Sequence, residues 1–164
     1  MRAESSTVLR WLFAEANGER IRKALAAAEK VVTSLLALIE VRRVIRRAER
    51  EGRINATQGA DLRRVLAEAT ATWAILEMSP EVAGRAKDAF PVEPVRTLDA
   101  IHLASSLLLR QSLPDLTVVT SDQRIRDNAR ALGLPVWIEA RGETRYETRN
   151  RYGFWFDSFY FLGS

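Results

Sequence analysis

Apolar positions recur along most of the chain at intervals of three and four, the spacing of amphipathic helices. SSTVLRWLFAEA (5–16) and GERIRKALAAAEK (18–30) read as two such helices, preceded by a very short extended start, MRAE. KVVTS (30–34) reads as a β-branched strand, followed by a long helix from about Leu35 to Arg50 that ends near Gly52. Asn55 and Gln58 fit a capping box, and Leu62, Val65, Leu66 and Ala69 mark the buried stripe of the next helix. AILEMS (74–79) reads as a strand, with Pro80 opening a helix to about Ala89. FPVEP (90–94) is a loop. The helix after it carries Asp99 and runs to about Gln111, with Leu98, Ile101 and either Ala104 or Ser105 on its expected buried stripe. LPDLTVVTSD (113–122) is the clearest strand, DQRIRDNARALG (122–133) a helix closed by Gly133, and LPVWIE (134–139) a last strand.

Strands that alternate with helices predict an α/β fold, a parallel sheet covered on both faces. Such sheets bind ligands outside the carboxyl ends of their strands. Glu4 ends the first strand and Glu40 lies in the helix leaving the second. Asp99 lies in the first turn of a helix that follows the third, and Asp122 ends the fourth. Four carboxylates far apart in sequence are thus expected at one edge of one sheet.

Composition narrows the chemistry. With 164 residues, 47% hydrophobic and 28% charged, the chain suits one globular domain. It has no cysteine, which excludes disulfides, thiolate zinc sites and cysteine nucleophiles. A single histidine, His102, excludes His-rich metal sites and weakens any Ser-His-Asp reading. No stretch approaches the ~20 apolar residues of a membrane span. MRAESSTVLRWLF lacks the pattern of a signal peptide, so a cytoplasmic location is expected. Neither a Walker loop nor a GxGxxG supports a nucleotide cofactor. The net charge is +4, and all but Lys23, Lys30 and Lys87 of the 25 basic residues are arginine. Six arginines fall in VRRVIRRAEREGR (41–53), where a solvated helix face is favoured over a nucleic-acid patch.

Carboxylates held close repel one another unless a cation offsets the charge, and oxygen-only ligands select hard ions such as Mg²⁺ or Mn²⁺. Such ions activate water and stabilise charge on a phosphodiester. Each acid also has a structural reading. Glu4 suits a surface position or a helix cap, Asp99 is favoured by the helix dipole, and Asp122 by N-capping. Glu40, amid LLALIEV, is the one poorly explained by a solvated face. Joint placement favours a metal site. His102 reads as a packed or hydrogen-bonded helix residue rather than a base. Arg96 and Arg124 flank two of the acids and suit RNA phosphates or local charge balance. Ser6 and Thr120 are supporting hydroxyls, with capping as the alternative.

ESSTVLRWL (4–12), TSLLALIEV (33–41), RTLDAIHLA (96–104) and VVTSDQRIRDNARALGLPV (118–136) together resemble the PIN-domain ribonucleases, and among them the VapC-type toxins of toxin–antitoxin pairs. The resemblance spans about residues 3–138 and implies a three-layer α/β/α sandwich around a five-stranded parallel sheet. It implies RNA cleavage that depends on a divalent metal, Mg²⁺ or Mn²⁺, and leaves a 3′-hydroxyl and a 5′-phosphate. It also implies a homodimer and a cognate antitoxin protein as partners. The metal-binding and catalytic acids map to Glu4, Glu40, Asp99 and Asp122, and the hydroxyl positions to Ser6 and Thr120.

The chain departs from the family pattern in two places. The first acid is commonly Asp, whereas here it is Glu4. An Arg- and aromatic-rich extension, residues 140–164, follows the nuclease-like domain of residues 1–139, and seven of the chain's 13 aromatics fall within 152–161. That extension suits packing over a sheet edge or dimer seam. A sharper alternative is self-inhibition of the site. The function expected is a toxin endoribonuclease; the alternative is a catalytically silent protein of the same fold that binds nucleic acid or a protein partner.

Overall fold

The computed structural model describes residues 1–137. In chain order the elements are β1 (Arg2–Ala3), α1 (Ser5–Leu12), α2 (Gly18–Ala26), β2 (Val32–Ser34), α3 (Leu35–Arg50) and α4 (Ala56–Thr70). There follow β3 (Ala74–Leu76), α5 (Pro80–Arg85), α6 (Thr97–Ser112), β4 (Val118–Val119), α7 (Gln123–Ala131) and β5 (Val136–Trp137). The five strands form one parallel sheet in the order β3-β2-β1-β4-β5. The α/β sandwich expected from the alternation is present.

Side-chain alternation distributes the two cores. Ala3 and Val119 are paired in register and belong to the core formed with α1, α3 and α4, around Val8, Val41, Ile45, Leu62 and Leu66. Arg2 and Val118, paired one residue earlier, face the other layer, where Val118 packs with Leu103, Ala104, Ile125 and Ala129 of α6 and α7. α1 packs on α2 and α3, and α3 on α4; on the opposite face α6 packs on α5 and α7.

Local chemistry sets the element ends. The capping box at Asn55 and Gln58 is formed: the Asn55 side chain accepts from Gln58 N at 2.9 Å and Gln58 accepts from Asn55 N at 2.9 Å. Gly133, at φ +72°, takes the left-handed turn after α7 that an L side chain resists. Several expected elements are shorter in the structure. α1 stops at Leu12 because Ala14 and Asn17 both adopt left-handed backbone, φ 52° and 67°, and reverse the chain. α5 stops at Arg85, short of Ala89, and of LPDLTVVTSD only Val118–Val119 pairs as strand. The buried face of α6 is wider than its apolar stripe. Ile101 packs on the core and Ala104 and Ser105 are buried as expected, but Leu98 is 39% exposed and the helix also buries His102, Leu103 and Ser106. The sheet beneath it presents Arg2 and Glu4, which need polar partners.

No helix among the described residues is long and apolar enough to cross a membrane. The 140–164 extension, with its expected packing or self-inhibitory role, lies outside the described residues.

Candidate active site

The sheet order places β1 at the centre; the chain runs outward through β2 to β3, then crosses back to β4 on the other side of β1 and outward to β5. The crevice at the carboxyl ends of β1 and β4 is therefore a topological switch point, the place where open α/β sheets bind ligands. Glu4 follows β1 directly, and Thr120, Ser121 and Asp122 follow β4. Backbone and hydroxyl bonds hold these two turns together. Glu4 N donates to Val119 O at 3.2 Å, Thr7 Oγ1 to Val119 O at 2.9 Å, and Ser121 N to Ser6 Oγ at 3.3 Å. Thr120 is buried and its Oγ1 accepts from Asp122 N at 3.1 Å. Ser6 and Thr120 thus brace the two turns that carry Glu4 and Asp122.

Each remaining acid is positioned by a helix. Ser34 caps α3, its hydroxyl accepting from Ala37 N at 3.1 Å, and Glu40 follows in the second turn. Asp122 is itself the cap of α7, where Oδ1 accepts from Arg124 N at 2.8 Å and Ile125 N at 3.2 Å. The cap uses only Oδ1. Asp99 sits in the first turn of α6, whose entry is fixed by a loop that carries a cis Glu93–Pro94 bond. Two side chains tie that loop. Glu93 accepts from Phe90 N at 2.9 Å and Val95 N at 2.6 Å, and buried Asn128 of α7 brackets Val92, accepting from its N at 2.9 Å and donating to its O at 2.8 Å.

The four acids meet as two pairs. Glu4 and Glu40 converge on His102, with Glu4 Oε2 3.1 Å from Nδ1 and Glu40 Oε2 hydrogen-bonded to Nε2 at 2.8 Å. Glu4 also forms an ion pair with Arg2. Asp99 lies within electrostatic range of Asp122, and these two make the second pair. Burial pushes the Asp99 carboxyl above its usual range, and the nearby charge of Asp122 pushes it further; His102, Arg96 and Arg124 partly oppose this. Arg96 and Arg124 are exposed. Among the described residues, no group of three or more His, Cys, Asp or Glu side chains is arranged to hold a metal ion.

A divalent cation fits the second pair. Both donors are hard oxygens, their mutual repulsion is the charge imbalance that a cation relieves, and Asp122 keeps one oxygen outside its capping bonds. Glu4 does not fit in the same way, because Arg2 and His102 already enclose its carboxylate. His102 is the hydrogen-bonded helix residue that its lone occurrence suggests. Arg2 and Asn128 have no role in the sequence reading. Alternation offers one signal for Arg2, which lies two residues before Glu4 and so shares its face of the sheet.

A model of the PIN domain family matches residues 4–131. No curated protein sequence matches the chain. The solved structure of PAE2754 from Pyrobaculum aerophilum matches it with a TM-score of 0.53 and 18% identity, covering 82% of this chain and 81% of that one. At that identity the likeness is one of fold.

Proposed function

The chain belongs to the PIN-domain family, and from that premise we propose that it is a divalent-metal-dependent endoribonuclease, the toxin of a toxin–antitoxin pair. The family is generally one of nucleases that use divalent metal ions, which supports the coarser part of this reading. The observation that carries the rest is the Asp99–Asp122 pair. Two carboxylates from different elements lie at the switch point of the sheet, and Asp99 is desolvated and repelled by the charge of Asp122. That arrangement is costly without a cation and useful with one.

Asp99 and Asp122 would hold the ion, Mg²⁺ or Mn²⁺, while Glu40 is fixed by its hydrogen bond to His102. When bound, the ion supplies charge neutralisation and Lewis-acid activation at the phosphodiester. The chain's own residues supply the rest. Arg96 and Arg124 flank the pair and hold RNA phosphates through their planar forks of donors. The N-terminus of α7 fixes Asp122, and the Ser6 and Thr120 bonds keep the two turns in register. A cognate antitoxin, a homodimer and a cytoplasmic location complete this proposal.

A catalytically silent protein that binds nucleic acid or a partner is the second reading. It is favoured by one observation, that Glu4 is engaged by Arg2 rather than directed toward Asp99 and Asp122.

End analysis of a labelled RNA incubated with the full chain tests the proposal. Products with 3′-hydroxyl and 5′-phosphate ends, formed with Mn²⁺ and suppressed by EDTA, are expected. Cleavage that persists in EDTA, or ends carrying a cyclic phosphate, would contradict it. Uncut RNA under all conditions would leave the silent reading.

A further inference from the structure

The surroundings of Glu4 carry an assignment that the four-acid pattern does not contain. β1 is the central strand, and Arg2 is matched in register to Val32 on one side and Val118 on the other. Its side chain is 1% exposed and lies beneath α6. There Nη1 donates to Ser106 Oγ at 2.9 Å, and the guanidinium forms an ion pair with Glu4. Ser106 is fixed in turn, donating to the His102 carbonyl at 2.9 Å. Glu4 is 1% exposed and His102 2%.

A carboxylate shut away from water needs a cation beside it, and a guanidinium is the side chain best suited to buried pairing. Burial pushes the Arg2 guanidinium down to about 9, which leaves it charged at neutral pH. Any ion bound to Glu4 would have to displace Arg2. The displaced guanidinium would keep Ser106 as its hydrogen-bond partner but lose its counter-charge. Neither Glu4 oxygen, nor Arg2 Nε, nor His102 Nδ1 has an aligned hydrogen bond. Arg2 and Glu4 are held by opposite charge, and all three side chains by enclosure.

We propose that Arg2 is the resident counter-cation of Glu4, and that Glu4 is a positioning residue: it anchors His102, and through His102 Glu40, while the divalent cation binds at Asp99 and Asp122 without it. The assignment rests on the nuclease reading above. It also accounts for Glu at a position where the family pattern commonly has Asp, because the longer side chain reaches both Arg2 and His102.

Anomalous scattering from Mn²⁺-soaked crystals of the full chain tests this with no substitution. Density bonded to Asp99 and Asp122, with the Arg2–Glu4 ion pair retained, is the expected result. Density bonded to Glu4 would overturn the assignment. Calorimetric titration with Mn²⁺ adds a measurement in solution. Glu4→Gln should retain binding, weakened by less than about tenfold, whereas Asp122→Asn should lose about a hundredfold or more. A loss in Glu4→Gln as large as that in Asp122→Asn would also overturn it. If Glu4→Gln does not fold, Arg2→Met combined with Glu4→Gln removes both charges and is held to the same criterion. The anchoring role has its own signature. His102 is the only histidine, so its ring ¹⁵N resonances are unambiguous. They should move in Glu4→Gln and stay in place in Asp122→Asn; an unmoved ring in Glu4→Gln contradicts the anchor. If the unaltered chain binds no Mn²⁺ at all, the metal reading of the protein fails and this assignment fails with it. A loss confined to Glu4→Gln overturns the assignment alone.

Discussion

Glu4 and Glu40 meet on the two nitrogens of one imidazole, and Glu4 has a guanidinium beside it. Asp99 and Asp122 lie at the same edge of the sheet, yet burial and the nearby charge of Asp122 raise the cost of ionising Asp99. The first pair is held by the chain's own groups, with Arg2 beside Glu4 and His102 between the two acids. The second is partly open and flanked by exposed Arg96 and Arg124. Acids in one cluster therefore need not do one job. Where a cation is folded in, the acid builds the site; where none is, the acid can recruit one from solution.

The strongest way to break this contrast is to remove the internal cation. Arg2→Met leaves Glu4 buried without its partner and should destabilise the fold by about 3–5 kcal/mol. At roughly 2–4 °C per kcal/mol for a chain of this size, the fall in Tm is about 6–20 °C. The double change Arg2→Met with Glu4→Gln should recover much of it. A single variant that unfolds within about 1 kcal/mol of the unaltered chain would mean that Glu4 has no need of Arg2.

Next in size is the loop that positions Asp99. Asn128→Ala strips the Val92 N–H and carbonyl of their partners. Urea unfolding should show a loss of about 2 kcal/mol. Mn²⁺ affinity should fall as well, since the entry to α6 is loosened. Stability lost with metal affinity unchanged would uncouple the loop from the second pair.

A smaller effect, of opposite sign, is expected at Asp99 itself. Its pKa is raised in the folded state, so the folded protein binds more protons than the unfolded chain as pH rises past the usual aspartate range. Stability therefore falls as the pH rises through the folded-state pKa, and the ionised carboxylate is destabilising at pH 7. In EDTA at pH 7, Asp99→Asn should raise Tm by about 1–3 °C, the small end of the scale because the group is partly exposed. The gain should vanish in strongly acid solution, where both forms are neutral. Calorimetry at the two pH values checks the sign. A lower Tm for the variant at pH 7 would mean that Asp99 is already compensated.

The smallest change is expected at the rim. Arg124→Ala should leave stability within about 0.5 kcal/mol, because the side chain is exposed. RNA affinity should weaken, with the salt slope reduced by about one. An unchanged slope would remove Arg124 from the phosphate-binding surface.

The same contrast marks where the sequence could be read. Helices α3, α4 and α7 follow from apolar spacing and from caps at Ser34, Asn55 and Asp122, because those signals are local. Asp122 could be placed for the same reason. The strands were harder: Arg2–Ala3, Val118–Val119 and Val136–Trp137 are two residues each, too short for a period to register. Arg2 was illegible as a core residue. A charged side chain on a central strand contradicts the hydrophobic pattern, and its partner Ser106 lies 104 residues away. The polar part of the buried face of α6 is hidden for a related reason. Ile101 and Ala104 are the apolar choice and pack into the core, but the helix also turns His102 and Ser106 inward to meet Arg2 and Glu4. Periodicity ranks residues by hydrophobicity and cannot see a polar partner supplied by another element.

The central claim is that the Asp99–Asp122 pair holds the metal of a nuclease. The most direct test compares the rate of RNA cleavage by the full chain and by Asp99→Asn, each titrated with Mn²⁺. The account expects cleavage that rises with Mn²⁺ in the unaltered chain and falls by at least about a hundredfold in the variant, which stays folded. Equal Mn²⁺-dependent cleavage by the two proteins would contradict it.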